Sequence, residues 1–235
     1  MKNKKGTHVD VILSFILFIS FLIFMFVLLE YPLKVEEDQK YTIQYLENKI
    51  SEEISENVGI VYLTNSSIKG ISENCISVNK SLFDLNYRNY IAQEETLNKI
   101  KSKEVGEIIY LEWTSSNNFF KIYYSNQTFN SSLWIEGTPI CQTASIKGIS
   151  EKKEYFETKV LNLLQNYTTN YTYLKSYLGV PLAEDFGLQF EYSNGTILGT
   201  NVSDLKTNIL IKKIEINYLD KNAQKLNGKI RIYSW

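Results

Sequence analysis

The sequence predicts an α+β protein: an N-terminal transmembrane helix followed by an external domain with an amphipathic stalk helix, antiparallel β-sheet and a second long helix. Three observations predict this fold class. Residues 11–29 form an uncharged run of 19 residues. Apolar residues then recur at helical spacing, and later segments are rich in β-branched and aromatic residues. With 235 residues, 44% of them hydrophobic, the chain is long enough to bury a core.

The overall composition excludes several classes of function. The 25 basic and 26 acidic side chains nearly cancel, which removes the bulk electrostatic attraction of a nucleic-acid-binding protein. The single histidine, His8, lies beside the apolar run, so the rest of the chain has no histidine for catalysis or metal ligation. Two cysteines are too few for a zinc finger. We therefore expect no cofactor, no metal and no nucleic-acid partner.

The apolar run from Val11 to Leu29 is predicted to span a membrane. A helix of this length extends about 28 Å, close to the roughly 30 Å hydrocarbon core of a bilayer. Its only polar residues are Ser14 and Ser20, whose hydroxyls can bond to the backbone one turn earlier. A core helix of a globular protein would carry a polar stripe, which this run lacks. Residues 7–33 are therefore assigned to a transmembrane helix surrounded by membrane lipid.

Charges on either side of the run predict its orientation. Three lysines precede it, whereas Glu30 and the acidic residues at 36–38 follow it. The positive-inside rule then places residues 1–6 in the cytoplasm as a basic leader and residues 34–235 outside the cell membrane. A cleaved secretory signal peptide is the alternative. The run exceeds the usual apolar length of about 7 to 15 residues, and no Ala-x-Ala-like site follows it.

The first thirty residues resemble those of a known family. Lys4 to Gly6, followed by Thr7 to Asp10 and the apolar run, resembles the class III signal peptide of type IV pilin-like proteins. In that family a prepilin peptidase cuts after the glycine that ends a short basic leader. The resemblance implies a cut between Gly6 and Thr7, after which the helix stays as membrane anchor and filament core. It also implies contacts with like subunits or other envelope proteins through that helix.

The chain departs from the family pattern at one position. The family usually has an acidic residue at the fifth mature position, where it can neutralise a neighbouring subunit's new amine. Here the fifth residue is Val11, and the carboxylate is Asp10, one place earlier. Archaeal members are looser at this site, and the Lys, Asn, Ile and Tyr bias of the chain also resembles archaeal proteins of this type. The alternative is an ordinary, uncleaved single-pass anchor.

Two helices are predicted in the external region. Pro32 is expected to kink or end the membrane helix. A stalk helix is then predicted from about Glu37 to Asn57, and its apolar residues fall at three- and four-residue steps: Ile43, Leu46, Ile50 and Ile54. A second helix is predicted from about Ser150 to Leu178, where Gly179 and Pro181 stop it. A division of this domain into lobes 34–145 and 146–235, each beginning with a helix, is compatible with the pattern.

Strands are predicted between and after these helices. Segments rich in β-branched and aromatic residues are Ile60–Leu63, Ile76–Val78, Glu107–Trp113 and Phe119–Tyr124. In the last third of the chain, strands are predicted at Phe186–Tyr192, Asn208–Leu219 and Lys229–Trp235. Ser115 to Asn118 is interpreted as a hairpin loop between two of them. Asn194-Gly195 and Asn227-Gly228 are interpreted as turns.

Two modifications are predicted on the external side. Cys75 and Cys141, the only thiols, are expected to form a disulfide there; two buried free cysteines are the alternative. Eight asparagines begin Asn-x-Ser/Thr sequons, about twice the number expected by chance, which is typical of a glycosylated surface protein. These asparagines are Asn65, Asn79, Asn126, Asn130, Asn166, Asn170, Asn194 and Asn201.

No catalytic motif is present in the sequence, so we expect a structural or assembly protein rather than an enzyme. The first hypothesis is a pilin-like, single-pass subunit whose external domain, residues 34–235, forms a head. The second is a membrane-tethered binding module or adhesin, for which tyrosines at 167, 171, 173 and 177 could supply a sugar-binding or subunit-packing surface; core packing is the competing interpretation. The third is a surface hydrolase that uses carboxylates such as Glu184 and Asp185.

Overall fold

β-Strands predominate in the part of the chain that the structure describes. A computed structural model describes residues 6–65, 75–83, 87–112, 119–133, 141–201 and 209–235, with the side chains of the first helix described at 10–27 and 39–53. The strands are β1 (Ser55–Asn65), β2 (Cys75–Asn79), β3 (Asn89–Glu94), β4 (Lys101–Val105), β5 (Ile108–Glu112), β6 (Phe119–Ser125), β7 (Ser132–Leu133), β8 (Gln142–Phe156), β9 (Phe186–Tyr192), β10 (Ile197–Gly199), β11 (Leu210–Leu219) and β12 (Lys225–Ser234). The helices are α1 (Gly6–Glu53), α2 (Glu157–Thr169) and α3 (Tyr171–Tyr177), with a 3-10 turn at Lys80–Leu82.

The long strand β8 connects three groups of strands into one mixed sheet. Its first residues pair in parallel with β2, which leads to β5, β4 and β7. Its middle pairs antiparallel with β1, which leads to β6 and β3. Its last two residues pair in parallel with β11, which leads to β12, β9 and β10. We call the β11-β12-β9-β10 group the C-terminal sheet.

Two hydrophobic cores lie on either side of this junction. In the first, the end of α1 and both short helices cover the C-terminal sheet, and we call this part the helix-packed lobe. In the second, side chains of β1, β6 and β3 pack against those of β2 and β5. A smaller cluster around Val58, Phe156 and Leu219 lies between them. The division at residues 145 and 146 stays a prediction, and β8 runs across it.

The α+β prediction is wrong, because the fold is mostly β. There is no separate stalk helix: α1 runs unbroken for 48 residues and passes through Pro32. Proline lacks one backbone donor but can occupy a helix when neighbouring structure compensates. One continuous helix therefore replaces the two that were predicted.

The predicted second long helix is also absent from residues 150–156. This segment is the end of β8, where Tyr155 is paired with Ser55 and Ser150 with Ile60. Helix begins only at Glu157, and α2 and α3 are separated at Asn170. The backbone N–H and C=O groups of residues 150–155 are used in a ladder with a strand nearly a hundred residues earlier, and that pairing overrides the local helical spacing.

Two of the predicted connections differ from those in the structure. The loop Ser115–Asn118 lies outside the described residues, and β5 and β6 pair with other strands rather than with each other. Asn227-Gly228 lies inside β12. A Cβ on Gly228 would lie 2.7 Å from the Phe190 ring, so glycine is required there for close packing and not for a turn. Asn194-Gly195 does form the turn between β9 and β10, with Gly195 at φ 84°.

Candidate functional site

The first part of α1 exposes an uninterrupted apolar surface. Residues 10–27, which we call the exposed segment, have a mean hydropathy of 2.7, and none of this window is buried. Leu17 is 64% exposed and Phe26 is 71% exposed. Among the residues that the structure describes, this is the one helix long and apolar enough to cross a membrane. It is compatible with a single-pass anchor or with a signal sequence.

The polar groups of the exposed segment are few. The Ser20 hydroxyl donates to the Ile16 carbonyl oxygen at 2.8 Å, so this side chain is satisfied within the helix as the spacing predicts. Asp10 is exposed at the start of the segment. Gly6 and Thr7 lie in the first turn of α1. A lipid environment would therefore meet an almost entirely apolar helix over residues 11–27.

The last part of α1 is integrated into the helix-packed lobe. Within residues 39–53, which we call the packed segment, Leu46 and Ile50 are fully buried. They pack in the core formed with the C-terminal sheet, and α1 contacts both β11 and β12. At its edge the Lys212 ammonium lies 3.0 Å from a Glu47 carboxylate oxygen. The same helix is thus exposed and apolar at one end and part of a folded core at the other.

Close contacts fix α3 beside the packed segment. The Tyr177 hydroxyl donates to a Glu53 carboxylate oxygen at 2.7 Å. Gly179 has φ +72°, and a Cβ at that position would lie 2.9 Å from the Tyr45 hydroxyl. A side chain there would be strained by the backbone conformation and by this contact. The chain after α3 is therefore held against α1.

A polar network connects the start of β1 to α2. Glu56 accepts a hydrogen bond from the Gln127 amide nitrogen at 2.6 Å and pairs with Lys159 at 3.4 Å. The Gln127 amide oxygen accepts from the Thr158 hydroxyl at 2.7 Å. The amide nitrogen and the amide oxygen of Gln127 therefore both make hydrogen bonds. This network fixes the segment after β6 against the helix-packed lobe.

The structure contains the Cys75–Cys141 disulfide. The two Cα atoms are 5.0 Å apart, and the residues are separated by 66 positions. Cys75 is 3% exposed. The bond lies where β2 joins β8, next to the parallel pair of Ile76 and Gln142. Among the described residues, two pairs connect β2 to β8, so the disulfide reinforces a short junction.

The predicted glycosylation sites are distributed over the head surface. Each sequon asparagine whose side chain is described is exposed: Asn79, Asn126, Asn130, Asn166, Asn170, Asn194 and Asn201. The side chain of Asn65, at the end of β1, lies outside the described set. Asn79 and Asn194 also accept hydrogen bonds from the backbone two residues later. Exposure is necessary for glycosylation and leaves these sites accessible.

The predicted acidic pair contributes to internal packing. Asp185 accepts from the Lys175 ammonium at 3.0 Å and from the Tyr171 hydroxyl at 2.9 Å. Lys175 also donates to the Leu182 carbonyl oxygen at 3.0 Å. Burial raises the pKa of Tyr171, and the Asp185 carboxylate raises it further. Asp185 therefore holds α3 to the start of β9, and the adjacent Glu184 has one carboxylate oxygen buried without a hydrogen bond.

The four tyrosines predicted to form one surface fall into two pairs with different surroundings. Tyr167 and Tyr171 pack against Phe186 in the core. Tyr173 and Tyr177 are 60% and 56% exposed, with nearly parallel rings whose centroids are 6.1 Å apart. They lie along a groove of about 340 Å³ that is also lined by Asn162, Asn166 and Glu53. Their four-residue spacing was the available signal, because it places both on one face of a helix.

Comparison with known proteins finds no match for the chain: no family model, no curated protein and no solved structure is similar to it. The resemblance of the first thirty residues to pilin-like proteins accordingly stays a prediction.

Proposed function

We propose that this chain is a single-pass, membrane-anchored structural or assembly protein of pilin-like type, without catalytic activity. Its N-terminus would lie in the cytoplasm, and its mostly β head would lie outside the cell. The observation that carries the proposal is the continuity of α1. An apolar segment with every side chain available to lipid leads, in one helix, to a segment fixed in the core of the head.

This continuity favours an anchor over a cleaved signal peptide. A signal peptidase would have to cut after the exposed segment, and α1 remains helical through that region to Glu53. Proteolysis prefers exposed loops, which a continuous helix does not offer. A cut between Gly6 and Thr7 would instead leave the exposed segment and the packed segment joined. The helix could then hold the head to lipid or to the helices of like subunits.

The disulfide and the exposed sequons of the head support an exported location. The disulfide is of the kind that persists in oxidising compartments. The sequon asparagines with described side chains are exposed, and we propose that some of them carry glycans. Asp185 is occupied by Lys175 and Tyr171, which favours a structural role for this carboxylate over a hydrolytic one. A membrane-tethered binding module is the second candidate, and the tyrosine-lined groove favours it.

Intact-mass spectrometry of the full-length protein, purified from its own membranes, tests the maturation step. After removal of N-linked glycans, we expect the mass of a chain that begins at Thr7. Gly6→Val should leave the leader attached, whereas Asn3→Ala, a change within the leader, should be processed normally. An encoded N-terminus on the wild-type protein would contradict pilin-like maturation while leaving the anchor possible.

The anchor itself is tested by alkaline carbonate washing of membranes. We expect the protein to stay with the lipid, and a C-terminal fusion reporter to be accessible from outside intact cells. Release by carbonate or a cytosolic reporter would contradict the proposal as a whole.

A further inference from the structure

Anchoring does not explain the groove between α2 and α3. Tyr173 and Tyr177 leave most of their ring surface in water, although neighbouring tyrosines on the same helices are packed in the core. Exposing flat aromatic surface costs hydrophobic free energy unless a partner covers it. The groove beside them, about 340 Å³, is within the range of small-ligand sites.

The two rings form a fixed platform. Their planes are inclined by only 16°, and their centroids are 6.1 Å apart, within the range of offset aromatic pairs. The Tyr177 hydroxyl donates to a Glu53 carboxylate oxygen at 2.7 Å, and this hydrogen bond restrains the direction of the side chain. A platform held in place before binding loses little conformational entropy when a ligand covers it.

The opposite wall of the groove provides amide groups. Asn162 and Asn166 are four residues apart on α2, so they lie on one face of the helix, and both are exposed. Each amide can donate through its nitrogen and accept through its oxygen. This combination suits hydroxyl groups, which also donate and accept. Leu163 and Leu174 complete the floor with apolar surface.

The charged residues of the groove already have partners within the protein. Glu53 accepts the Tyr177 hydroxyl, and Lys159 pairs with Glu56 at 3.4 Å. The two charges that line the groove, Glu53 and Lys159, are of opposite sign. A phosphate would require cations free to pair with it, and a metal ion would require several converging carboxylates. The groove is therefore suited to an uncharged ligand.

We propose that this groove binds a neutral saccharide. The C–H face of a sugar ring would cover the tyrosine platform, and its hydroxyls would bond to the amides of Asn162 and Asn166. Asn166 itself begins the sequon Asn166-Tyr167-Thr168. The same chemistry could therefore come from a glycan attached at Asn166 or from a free or neighbouring polysaccharide, and the experiment separates these sources.

Calorimetric titration of the full-length protein, made without N-glycosylation, tests this site. The protein is kept in a polyoxyethylene detergent, because detergents with sugar head groups would compete. The probes are maltotriose, cellotriose, mannotriose and N-acetylchitotriose, with trigalacturonate as a charged comparison. We expect saturable binding of at least one neutral trisaccharide and weaker binding of trigalacturonate. No saturable binding of any neutral probe, or tighter binding of trigalacturonate, would overturn the proposal.

Matched variants locate the site. Tyr173→Ala should weaken binding about tenfold or more, because it removes an exposed aromatic contact surface. Tyr177→Phe keeps the ring and should have a smaller effect, and Asn162→Ala tests the amide wall without altering either ring. Tyr41→Ala is the control, since Tyr41 is 66% exposed on α1 and is not among the residues that line the groove. Equal weakening by Tyr41→Ala, or unchanged binding in both Tyr173→Ala and Asn162→Ala, would contradict the assignment.

The glycosylated protein identifies the source of the saccharide. If a glycan on Asn166 covers the groove, trisaccharide binding should be absent from protein purified from its own cells and should appear in Thr168→Ala, which removes the sequon and keeps the Asn166 side chain. If the groove accepts a free or neighbouring chain, both forms should bind the probe. Neither result depends on cleavage after Gly6, so failure of pilin-like maturation and failure of this site are distinguishable.

Discussion

The exposed segment and the packed segment belong to one helix but meet different surroundings. From residue 10 to 27, no face of α1 is covered. From residue 39 to 53, Leu46 and Ile50 are fully buried while Tyr41 and Tyr45 remain exposed. The number of apolar residues alone would suggest that the exposed segment is the one packed in the core. The spacing of apolar residues distinguishes the two, because a stripe fits a core and a full apolar circumference fits lipid.

The largest effect should come from placing the same charge in each segment. Leu46→Asp puts a carboxylate in the core of the helix-packed lobe, and we expect it to cost more than about 5 kcal/mol, enough to unfold that lobe. Leu17→Asp should leave the unfolding of the head unchanged. It should instead lower the membrane-retained fraction, since a charge near the bilayer centre costs about 3 kcal/mol. Thermal unfolding and carbonate extraction of both variants measure the two effects.

If Leu17→Asp and Leu46→Asp had the same effects, the exposed and packed segments would not differ in their surroundings. Loss of head stability in Leu17→Asp would mean that the exposed segment packs on the head. Full stability of Leu46→Asp would mean that the packed segment is not part of the core.

Removing the disulfide should have the next largest effect, at a site remote from the packed segment. Cys75→Ser with Cys141→Ser opens a loop of 66 residues, which should cost about 4 kcal/mol in the chain-entropy model. The bond joins β2 to the beginning of β8, whereas β11 of the C-terminal sheet pairs with the end of β8. Denaturant unfolding with and without reductant measures the loss, and reductant should not affect the double variant. Membrane retention should stay at the wild-type level.

Alkaline pH should weaken the core on which the packed segment rests. Burial raises the pKa of Tyr171 and Tyr192 above the usual value near 10, and the carboxylates of Asp185 and Glu157 raise it further. Because these folded-state pKa values are raised, the stability that the protonated tyrosines contribute is fully present below pH 10. It is lost as the pH rises beyond that value, where the unfolded chain ionises first.

Unfolding midpoints between pH 8 and pH 11, followed by circular dichroism, test this dependence. Tyr192→Phe keeps the ring and removes the titrating hydroxyl, so its stability should fall less steeply above pH 10 than that of the wild type. A midpoint that rises with pH above 10 would contradict the burial of these tyrosines.

The smallest effect is expected at the edge of the packed segment. The ion pair of Lys212 and Glu47 has a distance of 3.0 Å, but its side chains are 41% and 29% exposed. Water and salt screen such a pair, so Lys212→Gln should change the free energy of unfolding by less than about 1 kcal/mol. Double-mutant cycles with Glu47→Gln at low and high salt measure the coupling. A coupling energy of several kcal/mol would show that charge, rather than apolar contact, holds this segment.

Local patterns predicted several elements well. The limits of β9 coincide with the predicted segment Phe186–Tyr192, where aromatic residues and a leucine occupy alternate positions before the turn at Asn194-Gly195. The burial of Leu46 and Ile50 follows from their four-residue spacing. These features depend on residues close together in the sequence.

The errors arose where distant residues decide the structure. Residues 150–155 can be helical or extended, and their pairing with β1 selects the strand. Asn227-Gly228 was predicted as a turn from the dipeptide alone. The Phe190 ring, whose close packing requires the glycine, is 38 positions earlier in the sequence. The groove beside Tyr173 combines side chains from α1, α2, α3 and the segment after β6, and one helical spacing could identify only its aromatic part. Contacts between residues that are far apart in the sequence produce little signal in the local sequence pattern.

The direct passage from α1 into β1 has a mechanical consequence. Only Ile54 separates the end of the helix from the strand, and the strand is registered with β8 through eleven residue pairs. Tension applied along the exposed segment would have to pull the packed segment off the C-terminal sheet before it reached β1, whose ladder with β8 would then have to break as well. A head attached in this way would resist being pulled from its base more strongly than one whose strands could be peeled apart one bond at a time.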